Sequence, residues 1–424
     1  MIISAEIENK EIAKQYKELL QISYQTLTEK DKKLIRSAFD TAVHAHRNQR
    51  RKSGEPYIYH PISVAKIVAQ EIGLDATSIA AALLHDVLED TEYDFVDLEK
   101  LFGKDVSRIV EGLTKISKLS KESNVSLQAE NFRKLLLTLN GDIRVIIIKI
   151  ADRLHNMQTL EFMPEDKQLK IASETLYIYA PLSHRIGLYN IKTELEDLSF
   201  KHTDFERYDF IKNKIEDSFE AQEQYIKSFS DIVKFALAEE GLDYQIKGRS
   251  KSIFSINRKM NVQNIPFENV FDKFAIRIIY NATEKNEKFL AWKIYSIVTD
   301  HFTPNPTRLR DWITASKSNG YEALHITVMG PKNKWVEVQI RSQRMHEIAE
   351  KGYAAHHKYK NGNQKDIGIE SWLDKLQEVL ENNTGDAVDF VENFKLNLYA
   401  KEIFVFTPTG EIKSLPKGAT ALDF

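Results

Sequence analysis

Residues 80–90 read AAALLHDVLED. A run of Ala and Leu without Gly or Pro favours helix, and the apolar spacing predicts one over 78–89. On such a helix residues four apart share a face, which pairs His85 with Glu89 and Asp86 with Asp90. Two ligating side chains backed one turn later by two carboxylates could bind a metal ion and orient or deprotonate its water. Four ionisable groups among small and apolar neighbours are costly unless something cationic compensates them. The competing reading is a solvent-facing helix that simply tolerates charge.

Further segments carry apolar residues at the same helical spacing, among them 32–47, 127–139 and 142–157. Thr28 followed by Asp31 reads as a capping-box variant opening the first of these. A helical bundle over the first 200 residues follows. Within it, His60 is the last residue but one of the stretch 51–61 (RKSGEPYIYHP), and Asp152 and Asn156 lie one turn apart in 152–156 (DRLHN). His60, His85, Asp86 and Asp152 together make an N2O2 donor set suited to Mn²⁺. Such an ion lowers the pKa of a bound water and polarises a phosphoryl oxygen. Arg51 and Lys52 nearby suit a polyphosphate.

The chain has 424 residues, which predicts two or three domains. Its net charge of -3 excludes a protein built mainly to coat nucleic acid. It has no cysteine, so disulfides and thiolate metal sites are excluded and any metal must sit among His and carboxylate ligands. No signal peptide and no membrane span is expected, and the reading is cytoplasmic.

Past the charged stretch 201–234 the pattern changes. Residues 274–280 (FAIRIIY), 324–329 (LHITVM) and 335–341 (WVEVQIR) read as strands of an α/β or α+β domain with a mixed sheet. Alternation puts Trp335, Glu337, Gln339 and Arg341 on one face of the last strand and Val336, Val338 and Ile340 on the other. The first set forms a polar floor. Residues 248–259 add Arg249, Lys251, Arg258 and Lys259, which alone read more readily as a solvated basic face. Asp272 and Glu337 could hold Mg²⁺, with the cations clamping a triphosphate. Tyr321, beside Gly320, is a candidate platform for a purine or an ordinary packed side chain. At the end, 402–424 suggests two strands in a hairpin around residues 408–410.

These stretches resemble a known family. RKSGEPYIYHP, LLHDVLEDT and IKIADRLHNM are similar to the hydrolase motifs of the RelA/SpoT homologues, within the HD phosphohydrolase superfamily. GRSKSIFSINRKM, FDKFAIR, RLRDWITASKSNGYEALHITV and VEVQIRSQRMHEIAEKG resemble the same family's nucleotidyltransferase-like synthetase domain. The resemblance implies a long bifunctional enzyme of the alarmone (p)ppGpp, represented by its catalytic part. By it, His60, His85, Asp86 and Asp152 are Mn²⁺ ligands, and Glu89 and Asp90 activate water. Arg51, Lys52, Ser53, Asn156 and Thr159 hold the nucleotide. In the second half Asp272 and Glu337 are the Mg²⁺-binding catalytic acids, and Arg249, Lys251 and Lys259 grip ATP. Lys317, Asn319, Tyr321, His325 and Gln339 form the GDP/GTP side.

The family's Arg-x-Lys-Asp is here Arg308-Leu309-Arg310-Asp311, which keeps Arg310 as a cation of different shape, and the family's Ser in the Tyr-x-Ser-Leu-His stretch is Ala323. An alternative within the family is a hydrolase whose weakened synthetase half acts as a nucleotide sensor. The implied organisation is a hydrolase domain over 1–200, connecting helices over 201–240, a synthetase domain over 241–360, a helical linker over 361–400, and the truncated start of a β-grasp-like TGS domain over 401–424. Ribosome and tRNA are expected as partners only through C-terminal domains beyond this sequence.

Overall fold

A computed structural model describes residues 5–23, 26–119, 142–270, 272–317, 320–352, 402–406, 412–416 and 420. The helix expected over 127–139 and the turn at 408–410 lie outside the described residues. Two compact units emerge, one of residues 1–171 with 361–424, the other of residues 172–360.

The first unit is helical over its described residues up to 119 and from 142 to 171. The helix Glu29–Ala45 opens as its sequence predicts, with the Asp31 amide donating to Thr28 Oγ1 at 3.3 Å and the Thr28 amide to Asp31 Oδ2 at 2.9 Å. The helix Tyr59–Lys66 runs on through a π-helical stretch to Gly73, whose φ of 87° ends it in the left-handed conformation that glycine tolerates best. The Ala-rich helix Ala76–Leu83 is entirely buried apart from Thr77, its small side chains allowing close approach by its neighbours. Helix Ile143–Gln158 buries Ile146, Ile147, Ile148, Ile150 and Leu154 and carries Asp152 inward with them.

The single helix expected over 78–89 is not continuous. It stops at Leu83, the chain turns through 84–86, and one further turn spans Val87–Asp90. Adjacent residues on a regular helix point about 100° apart, whereas the break brings His85 Nε2 and Asp86 Oδ2 to 3.0 Å.

The second unit holds a five-stranded sheet in the order β1-β2-β5-β4-β3: β1 is Tyr244–Ser250, β2 Phe274–Tyr280, β3 Arg310–Asp311, β4 Leu324–Gly330 and β5 Lys334–Ser342. Only β2 and β5 run parallel, so the sheet is mixed as expected. One face packs Ile276, Ile278, Leu324, Ile326, Val336, Val338 and Ile340 against helices Phe219–Glu239 and Glu287–His301 through Phe229, Val233, Leu237, Ile294 and Val298. Period-two alternation then sends the polar residues to the opposite face. Cross-strand register lines them up in a row, Lys247–Arg277–Gln339–His325–Arg310, and in a second, Arg249–Ala275–Glu337–Thr327. Separately, β6 (Glu402–Phe406) and β7 (Ile412–Pro416) pair antiparallel.

Two candidate active sites

In the helical unit, ligand atoms of His60, His85 and Asp152 all lie within 4.8 Å of one another, and all three residues are buried. His60 Nε2 is 3.2 Å from His85 Nε2 and 3.2 Å from Asp152 Oδ1. Asp86 Oδ2 joins them, 3.0 Å from His85 Nε2 and 3.7 Å from His60 Nε2. Residues as close as sequence neighbours and as far apart as 92 positions thus bring their donor atoms together.

Surrounding groups fix each donor. His85 Nδ1 bonds the Ala82 carbonyl at 2.8 Å, and His60 Nδ1 meets His155 Nδ1 at 2.8 Å, which turns both Nε2 atoms toward the centre. Tyr57 donates to Asp86 Oδ2 at 2.6 Å, Asn156 to Asp152 Oδ1 at 2.6 Å, and Lys149 to Asp152 Oδ2 at 2.8 Å. Burial works against charge on every member, yet the neighbours override it for three. The His85 imidazolium, with Lys149 and His60, keeps Asp86 and Asp152 far below the usual carboxylate range, and the two carboxylates raise His85 to about 9. His60 is pushed down by burial, and His155 to about 3 by burial and then by His60. Two ionised carboxylates therefore enclose a centre that selects positive charge, and the imidazole and carboxylate donors fit a divalent metal ion.

Arg51 donates to Asn156 Oδ1 from both terminal nitrogens at 3.3 Å and to Thr159 Oγ1 at 2.8 Å. Arg51, Asn156 and Thr159 thus meet. Ser53 bonds Glu55 at 3.1 Å and Lys52 is exposed. Glu89, half-buried, and Asp90, exposed, lie on the turn after Asp86. Tyr57, Lys149 and His155 were not singled out from sequence. Lys149, one helical turn before Asp152, was the one with a readable signal.

In the sheet unit, Lys259, Asp272, Arg308, Arg310, His325, Thr327, Trp335 and Glu337 line a cleft of ≈ 170 Å³. Both expected acids therefore face one space. Lys251 Nζ and Lys259 Nζ both hold Asp272 Oδ2, the former at 2.6 Å. Burial opposes ionisation of Asp272, and the two ammonium groups still keep its carboxyl below its ordinary value. Gln339 Nε2 donates to Glu337 Oε1 at 2.7 Å. Arg249 sits on β1 in register with Ala275.

Tyr321 is 9% exposed and packs edge-on to Tyr189 at 5.5 Å, with its hydroxyl 2.7 Å from His325 Nε2. Lys317 Nζ lies 4.9 Å from the ring centres of both Tyr321 and Trp312. Gly320, at φ 74°, makes the turn between Lys317 and Tyr321. Asn319 lies outside the described residues. Arg308, Thr327 and Trp335 were not read as site residues. Thr327 was legible in principle from strand alternation with His325, and alternation had already set Trp335 on the face of Glu337.

Residues 38–189 match the family described as HD domain, and residues 248–364 match the region found in RelA/SpoT proteins. The chain is 43% identical over 400 residues to a GTP pyrophosphokinase of Myxococcus xanthus, a match covering 93% of this chain and 52% of that protein. It is 41% identical over 413 residues to the bifunctional (p)ppGpp synthase/hydrolase SpoT of Escherichia coli, covering 96% of this chain and 58% of that one. Among solved structures, a metazoan orthologue of SpoT that hydrolyses ppGpp aligns at 29% identity over 42% of this chain and 98% of its own, with a TM-score of 0.35. The chain spans little more than half the length of these bacterial relatives. No helix among the described residues is long and apolar enough to cross a membrane.

Proposed function

Because this chain belongs to the RelA/SpoT homologue family, we propose that it is a bifunctional alarmone enzyme, hydrolysing (p)ppGpp to GDP or GTP and pyrophosphate, and transferring pyrophosphate from ATP to the 3′-hydroxyl of GDP or GTP. The observation that carries the first activity is the buried cluster of His60, His85 and Asp152, with Asp86 Oδ2 3.0 Å from His85 Nε2. A divalent ion held there, Mn²⁺ in our reading, supplies polarisation of a phosphoryl oxygen and acidification of a coordinated water. Arg51 grips phosphate oxygens, oriented by Asn156 and Thr159, with Lys52 and Ser53 at the same end of the nucleotide. Glu89 and Asp90 orient the attacking water and take its proton, and the 3′-oxygen leaves protonated as its bond to phosphorus breaks.

For synthesis, Asp272 and Glu337 are positioned to hold Mg²⁺, and Asp272 to receive the proton of the 3′-hydroxyl as that oxygen attacks the β-phosphorus of ATP and AMP departs. Arg249, Lys251, Lys259 and Arg310 neutralise the triphosphate. Lys251 and Lys259 rest on Asp272, so ATP binding draws them toward phosphate and frees the carboxylate. Guanine is received beside Tyr321, with Lys317, Asn319, His325 and Gln339 around it. Lys317 already occupies the ring neighbourhood that a base would take. The domain limits, the TGS-like character of residues 401–424 and a cytoplasmic location belong to the same proposal.

The test is a paired assay of the purified chain, ppGpp with Mn²⁺ and, separately, ATP plus GDP with Mg²⁺. Product in both, with Asp86→Ala losing only hydrolysis and Asp272→Asn only synthesis, is the expected result. Hydrolysis alone would favour the nucleotide-sensor alternative, and neither activity would overturn the proposal.

A further inference from the structure

Glu350 lies on the helix Gln343–Lys351, and neither reaction described above uses it. Its carboxylate is nonetheless engaged at both ends. Oε1 accepts from Arg277 Nη1 at 2.9 Å and from Arg341 Nη2 at 3.3 Å, while Oε2 accepts from Asn190 Nδ2 at 2.8 Å. Arg277 reaches on from Nε to Gln339 Oε1 at 3.3 Å, and Gln339 Nε2 donates to Glu337 Oε1 at 2.7 Å. A line of hydrogen bonds thus runs from the first turn of helix Tyr189–Thr203 to the acid in the cleft.

We propose that Glu350 is a positioning residue for the synthetase reaction, setting the orientation of Glu337 through Arg277 and Gln339. The inference rests on the reading of Glu337 as one of the two catalytic acids.

A primary amide has a donor end and an acceptor end. If the Gln339 carbonyl faced Glu337, two electron-rich oxygens would oppose each other and the carboxylate would turn away. Arg277 has no acceptor, so by claiming the carbonyl oxygen it commits the amide NH₂ to Glu337. Arg277 must itself be held. It and Arg341 are buried guanidiniums, 7% and 1% exposed, and burial together with Arg341 pushes Arg277 down to about 10. Two like charges in a poorly solvated place separate unless an anion lies between them. Glu350 is that anion, and Asn190 stops its carboxylate from rotating. On the other side, His325 Nδ1 lies 3.5 Å from Glu337 Oε1, backed by the Tyr321 hydroxyl. Glu337 is held from two directions, and Glu350 controls one of them.

Glu350→Gln keeps the shape and an acceptor for Arg277 while removing the charge. Steady-state synthesis from ATP and GDP should show kcat lower by about 10- to 100-fold, the usual cost of losing an outer-shell partner, with KM for GDP little changed. In the Gln339→Ala background, where the line is already cut, the same substitution should cost nothing further. A second readout is calorimetry of ATP binding with and without Mg²⁺: the gain in affinity on adding Mg²⁺ should shrink in Glu350→Gln, while metal-free binding stays the same. Asn190→Ala, which leaves the buried charges balanced, should show the same pattern at smaller size and serves if Glu350→Gln fails to fold. An unchanged kcat, a fully additive loss in the double variant, or equal loss of ATP affinity with and without Mg²⁺ would overturn the proposal. Glu337→Gln separates the two levels. If it retains synthesis, the assignment of the acid falls and the positioning role with it; if it is inactive while Glu350→Gln is not impaired, only the positioning role falls.

Discussion

His60 and His85 bring their Nε2 atoms to 3.2 Å of each other, at the centre of a site that also receives Asp86 and Asp152. Without metal, a proton on His85 and the Lys149 ammonium supply the positive charge that holds the two carboxylates. A divalent ion held by His60, His85, Asp86 and Asp152 would supply that charge instead. Adding Mn²⁺ should therefore raise the melting temperature in a concentration-dependent way, by about 2.7 kcal/mol of stabilisation at 100 times the dissociation constant. Chelation should reverse the shift and abolish ppGpp hydrolysis. Asp152→Asn should remove both effects; a melting shift that survives this substitution would place the ion elsewhere.

Arg51 spans Asn156 and Thr159 through its fork. Lysine cannot reproduce that bidentate contact. Arg51→Lys should raise KM for ppGpp by about tenfold, the loss of roughly one charge-assisted hydrogen bond, with a smaller change in kcat. A change confined to kcat would instead make Arg51 a group that acts only in the transition state.

Gly330 ends β4 against helix Phe219–Glu239. A Cβ there would overlap the Tyr225 hydroxyl, which donates to the Lys334 carbonyl at 3.1 Å, and would lie 3.3 Å from the Phe229 ring. Gly330→Ala should destabilise the sheet unit by about 1–3 kcal/mol through overpacking, read as a lower urea midpoint. Tyr225→Phe in the same background should recover part of the loss, since it removes the atom that the new methyl meets first.

Burial, with cationic neighbours, pushes His325 and His346 down to about 4 from 6.5. Both are neutral in the fold, while the unfolded chain takes up protons as pH falls through 6.5. The unfolded state then binds more protons, so the stability these residues contribute is fully present above pH 6.5 and is lost progressively between 6.5 and 4. Thermal melts across this range should show the decline, and His346→Asn should flatten it. An equally steep decline in that variant would assign the effect to other groups.

Local pattern carried much of this molecule. Strand alternation over 335–341 placed Glu337 and Gln339 on the polar face and Val336, Val338 and Ile340 in the core, because neighbours two residues apart must share a face. The Thr28–Asp31 cap was legible for the same reason, its partners being three residues apart. Residue chemistry and motif spacing also named the four donors at His60, His85, Asp86 and Asp152 before their geometry was known.

Tertiary packing decided what lies beyond that reach. Helical propensity runs unbroken through residues 80–89, yet the helix stops at Leu83 and the turn at 84–86 sets His85 Nε2 3.0 Å from Asp86 Oδ2. Arg341, read as part of a polar floor, is buried because Glu350 arrives from the following helix to neutralise it. Tyr321, open to either reading in the sequence, packs beneath Tyr189, 132 positions earlier in the chain. Sequence periodicity reports which residues share a face, since that follows from backbone geometry within a few bonds. Which buried charge meets which partner depends on how whole elements pack, and no local repeat records it.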